Sequence, residues 1–203
     1  MKKKIAVIAL VLVWTACLNV CAEALQSRRD RIDKPEVLAE AAGIRPGMII
    51  GEGGAGSGYL TFYLAERTGP EGKVYANDIN AGSLRSLGSR CQKEGVTNIE
   101  TVQGDSDDPL FPNGNLDRVV MLRALHDFTE KVAWLRNLKK YMKPDALLII
   151  FEEEDYHTQM SEEKITEIAD AAGFTLIERT HLHNGIWLYK LKIAEQAILH
   201  EKS

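Results

Sequence analysis

Cysteine is scarce in this chain, and so is net positive charge. Three cysteines occur in 203 residues: Cys17, Cys21 and Cys91. The first two fall in a stretch that reads as a removable leader. Without it Cys91 stands alone, which excludes an internal disulfide. Cys91 lies in a helix pattern and reads as a packing residue rather than a nucleophile. Basic residues number 25 against 29 acidic ones. Loss of residues 1–24 would remove three lysines and Glu23, leaving 22 against 28 and a net charge of −6. A surface of that sign repels polyanions, so nucleic acid is not expected as a partner. No internal repeat and no second domain can be found in the sequence.

What is there begins with the leader. Lys2 to Lys4 form a basic start, Ile5 to Val13 an unbroken apolar core, and Ala22-Glu23-Ala24 an A-x-A cleavage signal. The pattern predicts a secretory signal peptide over residues 1–24 and an exported, periplasmic protein. The alternative is an uncleaved inner-membrane anchor, since residues 5–22 are nearly long enough to span a bilayer, although Thr15 and Asn19 count against it. A polar arm follows over 25–34, then a domain over 35–193 and a tail over 194–203. Hydrophobic content of 45% suits one domain with a full core.

The domain is organised around Met48 to Asn80. An apolar run, Met48 to Ile50, breaks into five glycines between Gly51 and Gly58, passes into a helix pattern over Tyr59 to Thr68, and re-emerges as a strand ending at Asp78. Residues without Cβ let the backbone turn sharply and approach a ligand closely. A carboxylate ending the next strand accepts from both hydroxyls of a ribose. The unit therefore predicts a nucleotide-like ligand. Two registers fit: Gly51, Gly53 and Gly56 satisfy the dinucleotide G-x-G-x-x-G, whereas Glu52, Gly54, Gly56 and Gly58 spell acidic-x-G-x-G-x-G.

The rest of the chain supplies alternating elements. A helix is predicted over Pro35 to Ala42 and another from Ala81 to Lys93, where Leu84, Leu87 and Cys91 share a face. Strands are predicted at Ile99 to Val102, at Leu116 to Leu122 and at Ala146 to Phe151, with a helix over Thr129 to Met142 and another through Ile165, Ile168 and Ala172. Phe174 to Thr180 and Ile186 to Ile193 are strands separated by a short turn. Parallel neighbours need a crossover of a dozen or more residues, so these two must pair antiparallel.

At this point the sequence resembles the class I, Rossmann-like, S-adenosylmethionine-dependent methyltransferases. Glu52, the alternating glycines and Asp78 look like motifs I and II of that family; Val102 to Ser106, VQGDS, is similar to its G-D-[SA] motif. LDRVVMLRALHDF and LKKYMKPDALLIIFE look like its fourth strand, helix and fifth strand. The resemblance implies an α/β fold with a mostly parallel seven-stranded sheet ending in an antiparallel hairpin. It implies S-adenosyl-L-methionine as cofactor and a small-molecule methyl acceptor. Glu52 would face the cofactor's ammonium, Gly54, Gly56 and Gly58 would line it, Asp78 would hold the ribose, and Asp105 with Ser106 would meet the adenine. A pyrophosphate would find Glu52 repulsive, which favours this register over the dinucleotide one. No Asn-Pro-Pro-Tyr or Asp-Pro-Pro-Tyr follows the fourth strand, which disfavours nucleobase amino groups as acceptors.

Methyl transfer needs proximity and orientation, and a general base when the acceptor holds its proton. Candidates at the ends of strands four and five are His126, Asp127, Glu153, Tyr156 and His157, with His126 first; a helix-leading polar residue is its bland reading. Asp78 could equally cap the helix that follows it, and the run Glu152 to Asp155 reads as solvated loop. His157, His181 and His183 are weak evidence for a metal, and none is expected. The competing functions are an NAD(P)-dependent oxidoreductase and a non-catalytic binding protein retaining the fold. The second is motivated by a cytosolic cofactor in an exported chain.

Overall fold

The structure is a computed structural model that describes residues 28, 30–112, 114–154 and 160–195. The leader, most of the arm, the tail beyond residue 195, and Tyr156 and His157 lie outside the described residues. The chain divides into two units, Met1–Leu38 and Ala39–Ser203. Helix α1, Pro35–Ala41, runs across that boundary; everything that follows concerns the second unit. No helix among the described residues is long and apolar enough to cross a membrane.

Seven strands form one sheet: β1 Ile49–Gly53, β2 Lys73–Asp78, β3 Ile99–Gln103, β4 Leu116–Leu122, β5 Met142–Glu153, β6 Phe174–His181 and β7 Ile186–Ile193. Their order is β3-β2-β1-β4-β5-β7-β6. β1 to β5 pair parallel, and β7 pairs antiparallel with both β5 and β6. The terminal hairpin follows from its turn: Asn184 and Gly185 both take positive φ, 49° and 78°, too tight a connection for anything but antiparallel strands.

Helices α2 (Thr61–Thr68), α3 (Ala81–Glu94), α4 (Lys131–Leu138) and α5 (Glu162–Ala172) cover the sheet. Successive β2 residues show the two faces, as strand side chains alternate. Tyr75 joins a large cluster containing Trp134, Leu135 and Leu138 of α4 and Ile165, Ile168 and Ala169 of α5; Ala76 joins a smaller one with Leu87 and Cys91 of α3. Cys91 is thus a buried packing residue. β4 buries Val119, Val120 and Met121 completely, as a central parallel strand requires.

The boundaries around Pro144 differ from expectation. The helix expected over Thr129 to Met142 stops at Leu138, and after a short 3-10 turn, Lys139–Tyr141, the strand begins at Met142 rather than Ala146. Pro144 accounts for this: it disfavours helical geometry at Lys143, and Met142 instead pairs with Leu116 of β4.

Candidate functional site

β1 has β2 on one side and β4 on the other, so the connections leave the sheet in opposite directions there, the position where doubly wound sheets open a crevice. A cavity of about 340 Å³ lies at the carboxyl ends of these strands. It is lined by Gly54 and Gly56 after β1, Asn77, Asp78 and Ile79 at the end of β2, Asp105 and Ser106 after β3, and Arg123, Ala124, Asp127, Phe128, Thr129 and Trp134 after β4.

The glycine loop owes its path to two contacts. Gly54 takes φ 72°, and a Cβ there would come within 2.5 Å of the Ala124 Cβ. Only hydrogen fits between the loop and the turn after β4. The Gly56 amide donates to Asp78 Oδ2 at 2.8 Å, which ties the loop to the end of β2. Asp78 Oδ1 accepts from the Asn80 amide, also at 2.8 Å. Each carboxylate oxygen has two lone pairs, so both can still accept from a ribose hydroxyl.

The helix-capping alternative for Asp78 is replaced by another residue. Asn80 caps α3, its Oδ1 accepting from Gly82 and Ser83 at 2.9 and 3.1 Å.

Two expected lining residues lie elsewhere. Glu52 is only 3% exposed and does not line the cavity. The Thr61 hydroxyl donates to its Oε2 at 2.5 Å. Burial, opposed by that hydrogen bond and reinforced by the nearby Asp78 charge, pushes its carboxyl up to about 8. The expected contact of Glu52 with the cofactor's ammonium is therefore corrected: the side chain is buried against Thr61 of α2, outside the cavity lining. It is also largely neutral at pH 7, so it does not repel a pyrophosphate. The repulsion comes instead from Asp78, Asp105 and Asp127 on the cavity wall. Gly58 is buried against α3, where a Cβ would meet Leu87 Cδ1 at 2.4 Å.

Asp105 and Ser106 reach the cavity on a loop fixed by a residue the sequence reading did not single out. Asn77 is buried; its Nδ2 donates to the Pro109 carbonyl at 2.7 Å, while its own carbonyl accepts from the Ala55 amide at 2.9 Å. One side chain and its peptide thus tie the glycine loop and the Asp105 loop to β2. Ile79, 64% exposed beside Asp78, supplies an apolar surface to the same cavity. Its position directly after the acidic strand end was the available signal.

His126 sits on a short 3-10 turn, Leu125–Asp127, following β4. Its Nδ1 lies 3.2 and 3.1 Å from the two carboxylate oxygens of Glu152, and its backbone amide is 3.3 Å from Oε1. Glu152 is fully buried on β5, which corrects its reading as solvated loop. Burial raises the Glu152 carboxyl above its ordinary range, opposed by the attraction and hydrogen bonds of His126. With the carboxylate ionised, Nδ1 carries the hydrogen and the Nε2 lone pair is left to take a proton. Nε2 is 3.5 Å from Asp127 Oδ1, and Asp127 lines the cavity that His126 itself borders only through this neighbour. Glu153 points away from the dyad and pairs with Arg123 at 2.6 Å. His181 lies against Trp187, with 4.8 Å between ring centroids and the planes tilted by 60°.

A switch-point crevice, a glycine loop held by the acidic end of β2 and a sheet closed by an antiparallel hairpin define a Rossmann-like methyltransferase fold. Comparison with known proteins agrees. Residues 50–145 match a family model described as a methyltransferase domain. The chain is 33% identical over 114 residues to a ubiquinone/menaquinone biosynthesis C-methyltransferase of Ectopseudomonas mendocina, covering 56% of this chain and 44% of that protein. A protein of the same description from Pseudomonas paraeruginosa is 29% identical over 139 residues, 68% and 53% of the two chains. The chain thus spans about half the length of the curated relatives it matches. In fold it is similar to an S-adenosylmethionine-dependent methyltransferase from Aquifex aeolicus, with a TM-score of 0.74, 24% identity, and coverage of 79% and 89%. Residues 50–145 thus match the methyltransferase domain family, on a fold shared with a solved S-adenosylmethionine-dependent methyltransferase.

Proposed function

We propose that this protein transfers a methyl group from S-adenosylmethionine to a small molecule that gives up a proton on the way. The observation that carries the reading is the Asp78 carboxylate, fixed by the Gly56 and Asn80 amides at the lip of the cavity. When bound there, the cofactor supplies an electrophilic methyl on a sulfonium, whose carbon–sulfur electron pair stays with sulfur. The chain's own part is to hold and to deprotonate. Asp78 holds the ribose, and Asp105 and Ser106 flank the base. The acceptor's proton passes by way of Asp127, which lines the cavity 3.5 Å from His126 Nε2, to the imidazole oriented by Glu152, and is later released to solvent. The C-methylation named for the Pseudomonas paraeruginosa relative is one reaction of this kind, and transfer to a hydroxyl is another.

Calorimetric titration with S-adenosylmethionine and with NAD tests the cofactor half; binding of NAD alone would sink it. Transfer of a labelled methyl to phenolic and enolic compounds tests the other half. Export is part of the same proposal, supported by the basic, apolar and A-x-A segments of residues 1–24. Cell fractionation with N-terminal sequencing checks it, and a mature protein still beginning at Met1 in the cytosol would refute it.

A further inference from the structure

One buried polar group on the cavity wall has no part in the methyl-transfer reading. Trp134 lies in the first turn of α4, its amide donating to the Glu130 carbonyl at 2.8 Å. The helix lays its indole against the end of β1: a Cβ on Gly53 would meet Cη2 at 2.8 Å and Cζ2 at 3.3 Å. Phe128 packs against it edge to face, with 4.9 Å between ring centroids and the planes at 78°. The side chain is only 1% exposed, and it lines the cavity. A buried tryptophan N–H ordinarily finds an acceptor, because leaving it dry forfeits a hydrogen bond that water would supply. Among the described residues the Trp134 Nε1–H donates to no oxygen. An oxygen on a bound molecule would complete it.

The surrounding charges decide what kind of oxygen that is. Asp78, Asp105 and Asp127 share the cavity wall, and the one cation among its lining residues, Arg123, which follows β4 with a left-handed φ of 47°, is ion-paired with Glu153 at 2.6 Å. The cofactor's net positive charge offsets only part of the three carboxylates. A ligand that arrives as an anion therefore meets net repulsion. An indole N–H is a neutral donor and holds a neutral oxygen without a counter-charge. The Phe128 ring beside it offers an apolar surface to a flat molecule.

We infer that Trp134 is an acceptor-binding residue whose indole N–H donates to an uncharged oxygen, hydroxyl or carbonyl, on a planar acceptor lying against Phe128, so the enzyme takes that acceptor in its neutral form. This rests on the methyl-transfer reading above. As the acceptor's proton leaves toward Asp127, the electron pair stays on the acceptor. The indole N–H then faces a developing oxyanion, where a fixed donor in a dry crevice counts most.

The test follows the Trp134 indole N–H by NMR in the full-length protein, isotope-labelled at its tryptophan indole nitrogens and saturated with S-adenosylhomocysteine. Three tryptophans give three signals. Trp134→Phe removes the relevant one, and Trp14→Phe with Trp187→Phe assign it by exclusion if that variant does not fold. Phenol should move the Trp134 signal downfield. It should also bind Trp134→Phe about two- to tenfold more weakly than wild type, the loss of one neutral hydrogen bond. Toluene, which has the ring without the oxygen, should bind both proteins alike, and benzoate should bind more weakly than phenol. A Trp134 signal that phenol leaves unmoved while binding would overturn the inference, as would benzoate binding more tightly than phenol. A signal that S-adenosylhomocysteine alone moves downfield, and that phenol does not move further, would assign the donor to the cofactor's carboxylate and overturn it too. Phenol that engages Trp134 in a protein binding neither S-adenosylhomocysteine nor S-adenosylmethionine would refute the methyl-transfer reading and leave the oxygen site standing.

Discussion

The carboxylate of Glu152, buried at the end of β5, lies 3.1 Å from Nδ1 of His126 on the turn that follows β4. Two parallel strands thus bring an imidazole and a carboxylate together at the carboxyl end of the sheet. If Nε2 of His126 accepts the acceptor's proton, His126→Asn should lower kcat by about 10²- to 10⁴-fold and leave S-adenosylmethionine affinity unchanged. Glu152→Gln should cost about 10- to 100-fold through loss of orientation. Steady-state kinetics with cofactor titrations check both. A His126→Asn enzyme of wild-type rate would remove the imidazole from the chemistry.

Asp78 has two tasks in one carboxylate, holding the Gly56 amide and facing the cavity. Asp78→Asn keeps an acceptor oxygen but loses the charge and one acceptor position; Asp78→Ala loses everything. Cofactor affinity should fall in the order wild type, Asn, Ala, with the alanine variant at least about tenfold weaker, as expected for loss of charged hydrogen bonds. Calorimetry reads this directly, and an alanine variant that binds as wild type does would mean the ribose lies elsewhere.

The parts of this arrangement that were legible in the sequence are those set by local chemistry. The glycine loop, Asp78, the Gly104-Asp105-Ser106 segment and the short turn at Asn184-Gly185 each announce a backbone conformation or a strand end, and the parallel sheet with its antiparallel ending follows from loop lengths. What could not be read is which way a side chain points when the decision is tertiary. Glu52 looks like a loop carboxylate, yet at the end of β1 it turns inward to Thr61. Glu152 sits in a run of four acidic residues that suggests solvent, yet strand alternation on β5 buries it opposite His126. Asn77 is an unremarkable polar residue in β2 until β3 and the loop to Pro109 close around it. Arg123 lies in a segment dominated by its apolar strand, and its left-handed turn has no signature in a residue that is not glycine.

The buried Glu52 carboxyl has a consequence for stability against pH. Its folded-state value of about 8 exceeds the ordinary 4.5, so between those limits the folded chain holds a proton that the unfolded chain has lost. Stability contributed by this group is complete below about pH 4.5, declines as pH rises through the window, and is lost above pH 8. Each unit of difference corresponds to about 1.4 kcal/mol, so the effect is on the order of a few kcal/mol. Glu52→Gln keeps an oxygen for the Thr61 hydroxyl and cannot ionise. Thermal melts should show the variant close to wild type near pH 4 and clearly more stable at pH 8; equal melting temperatures at pH 8 would contradict the burial argument.

Gly104 and Asn77 are coupled by space. A Cβ on residue 104 would stand 2.4 Å from Asn77 Nδ2 and 3.0 Å from the Pro109 carbonyl, so Gly104→Ala must push aside the amide that holds the Asp105 loop. The expected cost is about 1–3 kcal/mol of stability from overpacking, with weaker S-adenosylmethionine binding as Asp105 and Ser106 shift. Asn77→Ala removes both the obstruction and the hydrogen bond at 2.7 Å to Pro109, so it should also destabilise. In the double variant the alanine at 104 meets no amide, and its effect should largely disappear: the pair should be little worse than Asn77→Ala alone. A cycle of four denaturation curves measures this non-additivity, and strictly additive losses would show that the clash at residue 104 is with the Pro109 backbone and not with Asn77.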